Sequence, residues 1–207
     1  MKKIILTYLL LLSIFSLYAE KVTLKSSNSS EIVEVGEMLY LGYGSNVSEI
    51  MFMDKNPKIS RIILEGTAYI KDYSFIAQCS ELESIVINDV SLEDIDFLLP
   101  CKKLRIIALD SVSLKKLSDL KDFVNLEYLA LTNCNLTDCS KFLSHGNNLK
   151  YINLCHNKIS KFPKIKSNDK TKYFVFGNKV SNFRSENYIF DADLSQKLPE
   201  EFVRYIR

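Results

Sequence analysis

The same spacing of apolar residues returns six times along the chain, at intervals of 21 to 23 residues. Counted from the first apolar residue of each copy, the repeats begin at Ile59, Leu82, Leu104, Leu126 and Leu149, with a degenerate sixth at Lys170. Apolar side chains fall three, five and ten positions after each start, and a special residue falls at offset eight. The fourth copy reads Leu126, Leu129, Leu131, Cys134, Leu136; the fifth reads Leu149, Ile152, Leu154, Asn157, Ile159. The Leu-x-Leu core of each copy alternates, which predicts a short strand with one face buried. Leu129 and Leu131 then point inward, and Tyr128, Ala130 and Thr132 point out of the opposite face.

One repeat cannot hold itself together. It buries about five apolar side chains at roughly 1.5–3 kcal/mol each, while ordering its backbone costs roughly 1–2 kcal/mol per residue. Stacking supplies the difference, because each strand pairs with the next and each Leu packs on its equivalent. Between strands the apolar step shortens to three, as in Leu92, Ile95, Leu98, in Leu114, Leu117, Leu120, and in Ile159, Phe162, Ile165. That step suits 3₁₀ or similarly tight turns better than an α-helix.

The spacing L-x-x-L-x-L-x-x-N/C-x-L resembles the leucine-rich repeat. The three-residue step on the far side resembles the 22-residue repeats of internalin-type bacterial surface proteins. Cys79-Ser-Glu-Leu82 and Cys101-Lys-Lys-Leu104 are similar to the Cys-x-x-Leu repeats of BspA-type surface antigens. The resemblance covers about residues 59–180. It implies a repeat solenoid of the α/β class: a curved slab with a parallel concave sheet and a mostly 3₁₀ or irregular convex side. It also implies protein binding through the concave face, in an adhesive or host-contact role. The ladder asparagine at offset eight survives only as Asn157 and Asn178; Thr67 and Cys134 are partial substitutes, and Val90 and Val112 cannot make its bonds. Unpaired buried backbone groups cost about 1–3 kcal/mol each, so the second and third repeats require water or a different turn.

The ends divide the chain further. Lys2 and Lys3 precede an apolar run from Ile4 to Leu17 that ends at Tyr18-Ala19, the layout of a secretory signal peptide over residues 1–19. The expected location is therefore outside the cytoplasm: periplasmic, cell-surface or secreted, with no membrane span once the segment is cleaved. Residues 20–58 form an N-terminal cap with a decayed repeat around Leu39 and Leu41, residues 59–182 hold the repeats, and residues 183–207 form a C-terminal cap. There Pro199-Glu200-Glu201 opens a short helix with Leu198, Phe202 and Ile206 on one face and Val203 beside them. Lys plus Arg is 27 and Asp plus Glu is 25; without Lys2 and Lys3 the two balance, and no basic stripe points to nucleic acid.

Candidate chemistry is sparse. Cys155-His156-Asn157 resembles a protease trio in composition only, since consecutive residues at a strand end point in different directions and cannot form a relay. Glu65 and Asp110 share an outward column two repeats apart, about 10 Å at strand spacing, too wide for a retaining glycosidase pair. No His/Cys spacing suggests a metal site, and no cofactor motif is present. Cys79 and Cys101 occupy equivalent positions in adjacent repeats, about 5 Å apart; a packed thiol column is expected in preference to a disulfide. The outward middle column, from Ile63 through Val86, Ala108 and Ala130 to Asn153 and Phe174, is apolar over its first four copies. With Ile106, Tyr128, Tyr151 and Phe176 beside it, this column is the expected contact surface for a protein partner. A glycan stacking on Tyr128 and Tyr151, flanked by Asn88 and Asn153, is the alternative, followed by a periplasmic enzyme regulator.

Overall fold

The computed structural model describes residues 19–116, 120–140, 148–162, 170–179 and 188–189. The signal peptide expected over residues 1–19, Ala19 apart, and the C-terminal helix expected around Leu198 and Phe202 lie outside these residues. Thirteen strands are described: β1 (Glu20–Ser26), β2 (Ser30–Val35), β3 (Met38–Leu41), β4 (Val47–Phe52), β5 (Arg61–Glu65), β6 (Ser84–Asn88), β7 (Ser91–Leu92), β8 (Ile106–Asp110), β9 (Ser113–Leu114), β10 (Tyr128–Thr132), β11 (Tyr151–Asn153), β12 (Lys172–Phe174) and β13 (Tyr188–Ile189).

Eight of them form one parallel sheet in the order β13-β12-β11-β10-β8-β6-β5-β3. The register follows the repeat: Ile62, Ile85, Ile107, Leu129, Ile152 and Tyr173 are successive Cα partners. Leu39 of β3 joins the same row opposite Ile62, so a strand precedes the repeat that starts at Ile59. These residues and the row two positions on are buried in one continuous core. The architecture is a parallel β-solenoid.

An α/β class is not what the connections make. The described residues hold almost no helix, and the far side turns through 3₁₀ segments at Ser74–Gln78, Asp96–Leu98 and Leu120–Asp122. With a repeat of about 22 residues there is room between strands for a tight turn but little for a helix that could bury a full face. Before the first repeats, β1 pairs antiparallel with both β2 and β4. Val22, Leu24 and Ile50 of this three-stranded sheet join the solenoid core, and the buried carboxylate of Glu20 accepts the Lys58 amide at 2.9 Å.

Every repeat makes the same left-handed turn just before offset eight, whether a valine or an asparagine follows. Gly66, Asp89, Ser111, Asn133, His156 and Gly177, at offset seven in the six repeats, all adopt positive φ between 54° and 74°. This left-handed step costs a non-glycine residue about 1–2 kcal/mol. In five of the repeats its amide donates to the offset-six carbonyl of the next repeat: Gly66 to Asn88, Asp89 to Asp110, Ser111 to Thr132, Asn133 to Cys155 and His156 to Phe176, at 2.7–3.1 Å. After Val90 and Val112 the backbone stays extended, as β-branched residues favour. There β7 and β9 pair in parallel as a small second ladder. The ladder asparagine is dispensable where backbone replaces it.

Candidate binding surface

The outward residues of the large sheet form three columns, one at each odd strand position. The middle column reads Tyr40, Ile63, Val86, Ala108, Ala130, Asn153, Phe174 and Ile189. Most of the expected contact surface is closed to solvent. Val86, Ile106, Ala108, Tyr128, Ala130, Cys155 and Phe174 form a second buried cluster, with Ile63, Tyr151 and Ile189 packed against it. Tyr128 and Phe174 are 0% exposed, and Asn153 is buried as well. Ala108 and Ala130 belong to the same cluster, and Tyr151 stacks on Phe174 at 6.3 Å.

Burial also governs the chemistry of Tyr128. It pushes the hydroxyl up to about 12, against the lowering effect of the neighbouring Asn153 side chain. A Tyr128–Tyr151 platform open to a partner, as the alternation suggests, is therefore not what this face presents. Alternation shows which side of a sheet a residue takes; it does not show whether that side is covered. Ile63 and Tyr151 are half-buried, and Phe176 remains exposed, its ring edge-on to His156 at 5.3 Å.

The open part of the face is its N-terminal end. Met38, Tyr40 and Tyr43 are 43%, 53% and 65% exposed, and Ile63 stands next to Tyr40 in register. Met38 and Tyr40 lie outward on β3 because Leu39 and Leu41 take the inward places. Tyr43 follows the strand. Both tyrosine rings lie over glycines: a Cβ on Gly42 would fall 2.6 Å from the Tyr40 hydroxyl, and one on Gly66 would fall 2.5 Å from Tyr43 Cδ1. Gly66 also occupies the left-handed position of its repeat, so a larger residue there is strained twice over.

Carboxylates hold the two rings by their hydroxyls. Tyr40 donates to Glu65 Oε2 at 2.8 Å, and Tyr43 donates to Asp89 Oδ2. That bond to Asp89, then desolvation and the charges of Asp89, Glu65 and Asp110, push the Tyr43 hydroxyl up to about 12. Asn88 reaches Glu65 at 3.5 Å, and Thr132 donates to Asp110 at 2.7 Å. The result is a row of acids and hydroxyls along the strand ends, headed by two exposed rings. In the sequence, residues 38–43 read as part of the cap, with a decayed repeat around Leu39 and Leu41, and Met38, Tyr40 and Tyr43 stay outside the expected surface. The alternation about Leu39 and Leu41 is the signal that turns Met38 and Tyr40 outward.

The opposite, N-terminal edge of the strands is different. A groove of about 490 Å³ there is lined by Glu83, Lys103, Arg105, Asn125, Glu127, Asn148 and Lys150. Arg105 donates twice to Glu127, both at 3.1 Å, Lys150 donates to the same carboxylate at 2.9 Å, and Lys103 pairs with Glu81 at 2.5 Å. Its cations are matched by acids, which leaves no excess positive charge for an anion.

Cys155, His156 and Asn157 diverge. The Cys155 thiol is buried under the outer face, His156 turns to Phe176, and the Asn157 amide is bound to backbone groups of its own and the preceding repeat. Among the described residues no group of three His, Cys, Asp or Glu side chains is placed to hold a metal ion. No protein-family model matches the chain, and no curated protein matches it.

Proposed function

We propose that this protein is an exported leucine-rich-repeat protein that binds a protein partner through the open N-terminal end of its large sheet. The observation that carries this reading is the contiguous exposure of Met38, Tyr40 and Tyr43 beside half-buried Ile63. Aromatic and methionine side chains anchor interfaces, and further along the column of Tyr40 the residues from Val86 to Phe174 are buried. The leucine-rich-repeat assignment draws support from the 21-to-23-residue period, the fixed apolar offsets and the asparagines at 157 and 178. Export draws support from the basic-then-apolar segment ending at Ala19. An adhesive role is what the resemblance to bacterial surface repeats adds.

The test is affinity capture with the purified chain beside its Tyr40→Ala/Tyr43→Ala variant, followed by identification of the proteins retained. A partner that is bound by the wild type and lost by the variant, and that then binds directly when purified, supports the reading. Partners retained equally by both chains place the interface elsewhere. A glycan is the second reading, because exposed tyrosine rings beside Glu65 and Asp89 also suit a sugar face; an oligosaccharide array screened with both chains decides it.

A further inference from the structure

We infer that the partner presents a basic segment, whose lysine or arginine side chains seat on Tyr40 and Tyr43 against the carboxylates of Glu65, Asp89 and Asp110. This rests on the reading that the open end of the sheet is the docking surface, and it specifies what the surface selects.

The rings and carboxylates on offer there favour positive charge, and Arg61, in register with Met38, lies at the opposite end of β5 from Glu65. A tyrosine ring carries negative potential on its face and attracts ammonium and guanidinium groups. Carboxylates only accept hydrogen bonds. The two tyrosine hydroxyls, which could have donated to a neutral ligand, already donate to Glu65 and Asp89. A sugar needs donors as well as acceptors; a guanidinium needs acceptors alone. The acids therefore orient the rings and remain negative toward an incoming group.

The distribution of charge points the same way. The outward column Glu65, Asn88, Asp110, Thr132, Cys155, Phe176 contains no lysine or arginine. Neither does the left-handed column beside it, Gly66, Asp89, Ser111, Asn133, His156, Gly177. Arg105, Lys103 and Lys150 lie at the other end of the strands, paired with acids. The chain beyond residue 19 carries equal numbers of acids and bases, so the acidic rim is a local separation of charge. Because no three acids converge on one point, the row suits cations spread along a chain better than a single metal ion. Gly42 and Gly66 keep the rings flat and supported, which reduces the ordering cost of binding.

The experiment is fluorescence anisotropy of the purified chain with a fluorescein-labelled peptide of alternating glycine and arginine. Matched peptides carry glutamate or leucine in place of arginine. The expected result is binding of the arginine peptide alone, weakened at least tenfold by Glu65→Gln/Asp89→Asn and by Tyr40→Leu/Tyr43→Leu, and weakened by salt. Asn adopts the left-handed conformation that Asp89 requires, so the first variant retains the turn; melting curves of both variants verify the fold. Arginine-peptide binding that both folded variants retain overturns the inference, as does the absence of any binding. Leucine-peptide binding that depends on the tyrosines and ignores the acids leaves the docking surface standing and removes the basic partner. Tyrosine-dependent capture of an oligosaccharide without the arginine peptide removes both.

Discussion

Asn157 completes the turn of the repeat before its own: its Oδ1 accepts the amide of Cys134 at 3.0 Å. The same oxygen accepts the Leu136 amide at 3.0 Å, while Nδ2 donates to the carbonyls of Leu131 and Leu154 at 2.7 and 3.0 Å. Asn157→Ala leaves buried backbone donors without this partner, each costing about 1–3 kcal/mol. The expected loss is about 3 kcal/mol, read as a lower denaturant midpoint. A loss below about 0.5 kcal/mol, the range of a bland surface change, would show that backbone or water replaces the ladder here as backbone does after Val90 and Val112.

Tyr128 and Tyr43 should part company on truncation. Tyr128→Ala opens a hole under the outer face and should cost about 3–5 kcal/mol. Tyr43→Ala removes an exposed ring and should change stability by less than about 1 kcal/mol. Paired thermal melts check this. An unchanged Tyr128→Ala melt would mean that the column is open after all and belongs to the binding surface.

The left-handed column supplies a stabilising substitution. Ser111 holds φ 56° while its amide donates to Thr132 at 3.0 Å. Ser111→Gly removes the left-handed penalty of about 1–2 kcal/mol and raises the entropy of the unfolded chain by somewhat less. Both variants lose the exposed hydrogen bond that the Ser111 hydroxyl accepts from Asn133 at 2.9 Å, so the glycine variant should gain at most about 0.5 kcal/mol; Ser111→Val should instead destabilise by more than about 1 kcal/mol. Chemical denaturation of the two variants beside wild type decides it, and a glycine variant weaker than the valine one would refute the conformational argument.

All five cysteines are free thiols and buried. Burial pushes Cys79 and Cys139 up to about 12, and Cys101, Cys134 and Cys155 up to about 11. Since the thiolate is the reactive form, the native protein should resist a thiol reagent at pH 8 and take up five equivalents once denatured without reductant. Fewer equivalents on denaturation, with a Cys79–Cys101 peptide pair found by mass spectrometry, would show a disulfide.

Glu127 couples stability to acid. Its hydrogen bond to Arg105, and then that to Lys150, hold its carboxyl below the ordinary value against the opposing effect of burial. A carboxyl lowered in the folded state stabilises the fold above its unfolded value of about 4.3 and loses that contribution as pH falls through the folded value. Glu127→Gln should therefore lower stability at pH 7 and flatten the stability profile between pH about 5 and 3. Parallel denaturation curves at those pH values test it; identical slopes for variant and wild type would remove Glu127 from the acid response.

The sequence determined the solenoid. The offsets of Leu126, Leu129 and Leu131, returning every 21 to 23 residues, force neighbouring strands into parallel register, because only that pairing stacks every inward side chain on its equivalent. It also determined which side of the sheet each residue takes, since alternation leaves two choices and the core takes one. What it left open was cover. Ala130 and Tyr40 have the same local pattern, an outward residue between two inward apolar neighbours, yet one is buried and the other exposed. That difference depends on what packs across neighbouring strands, which no local period encodes. The glycine beneath Tyr43, the carboxylates that catch the two tyrosine hydroxyls and the small second ladder that stands in for the asparagine after Val90 and Val112 arise the same way. Each joins residues a repeat or more apart, brought together only when the strands stack.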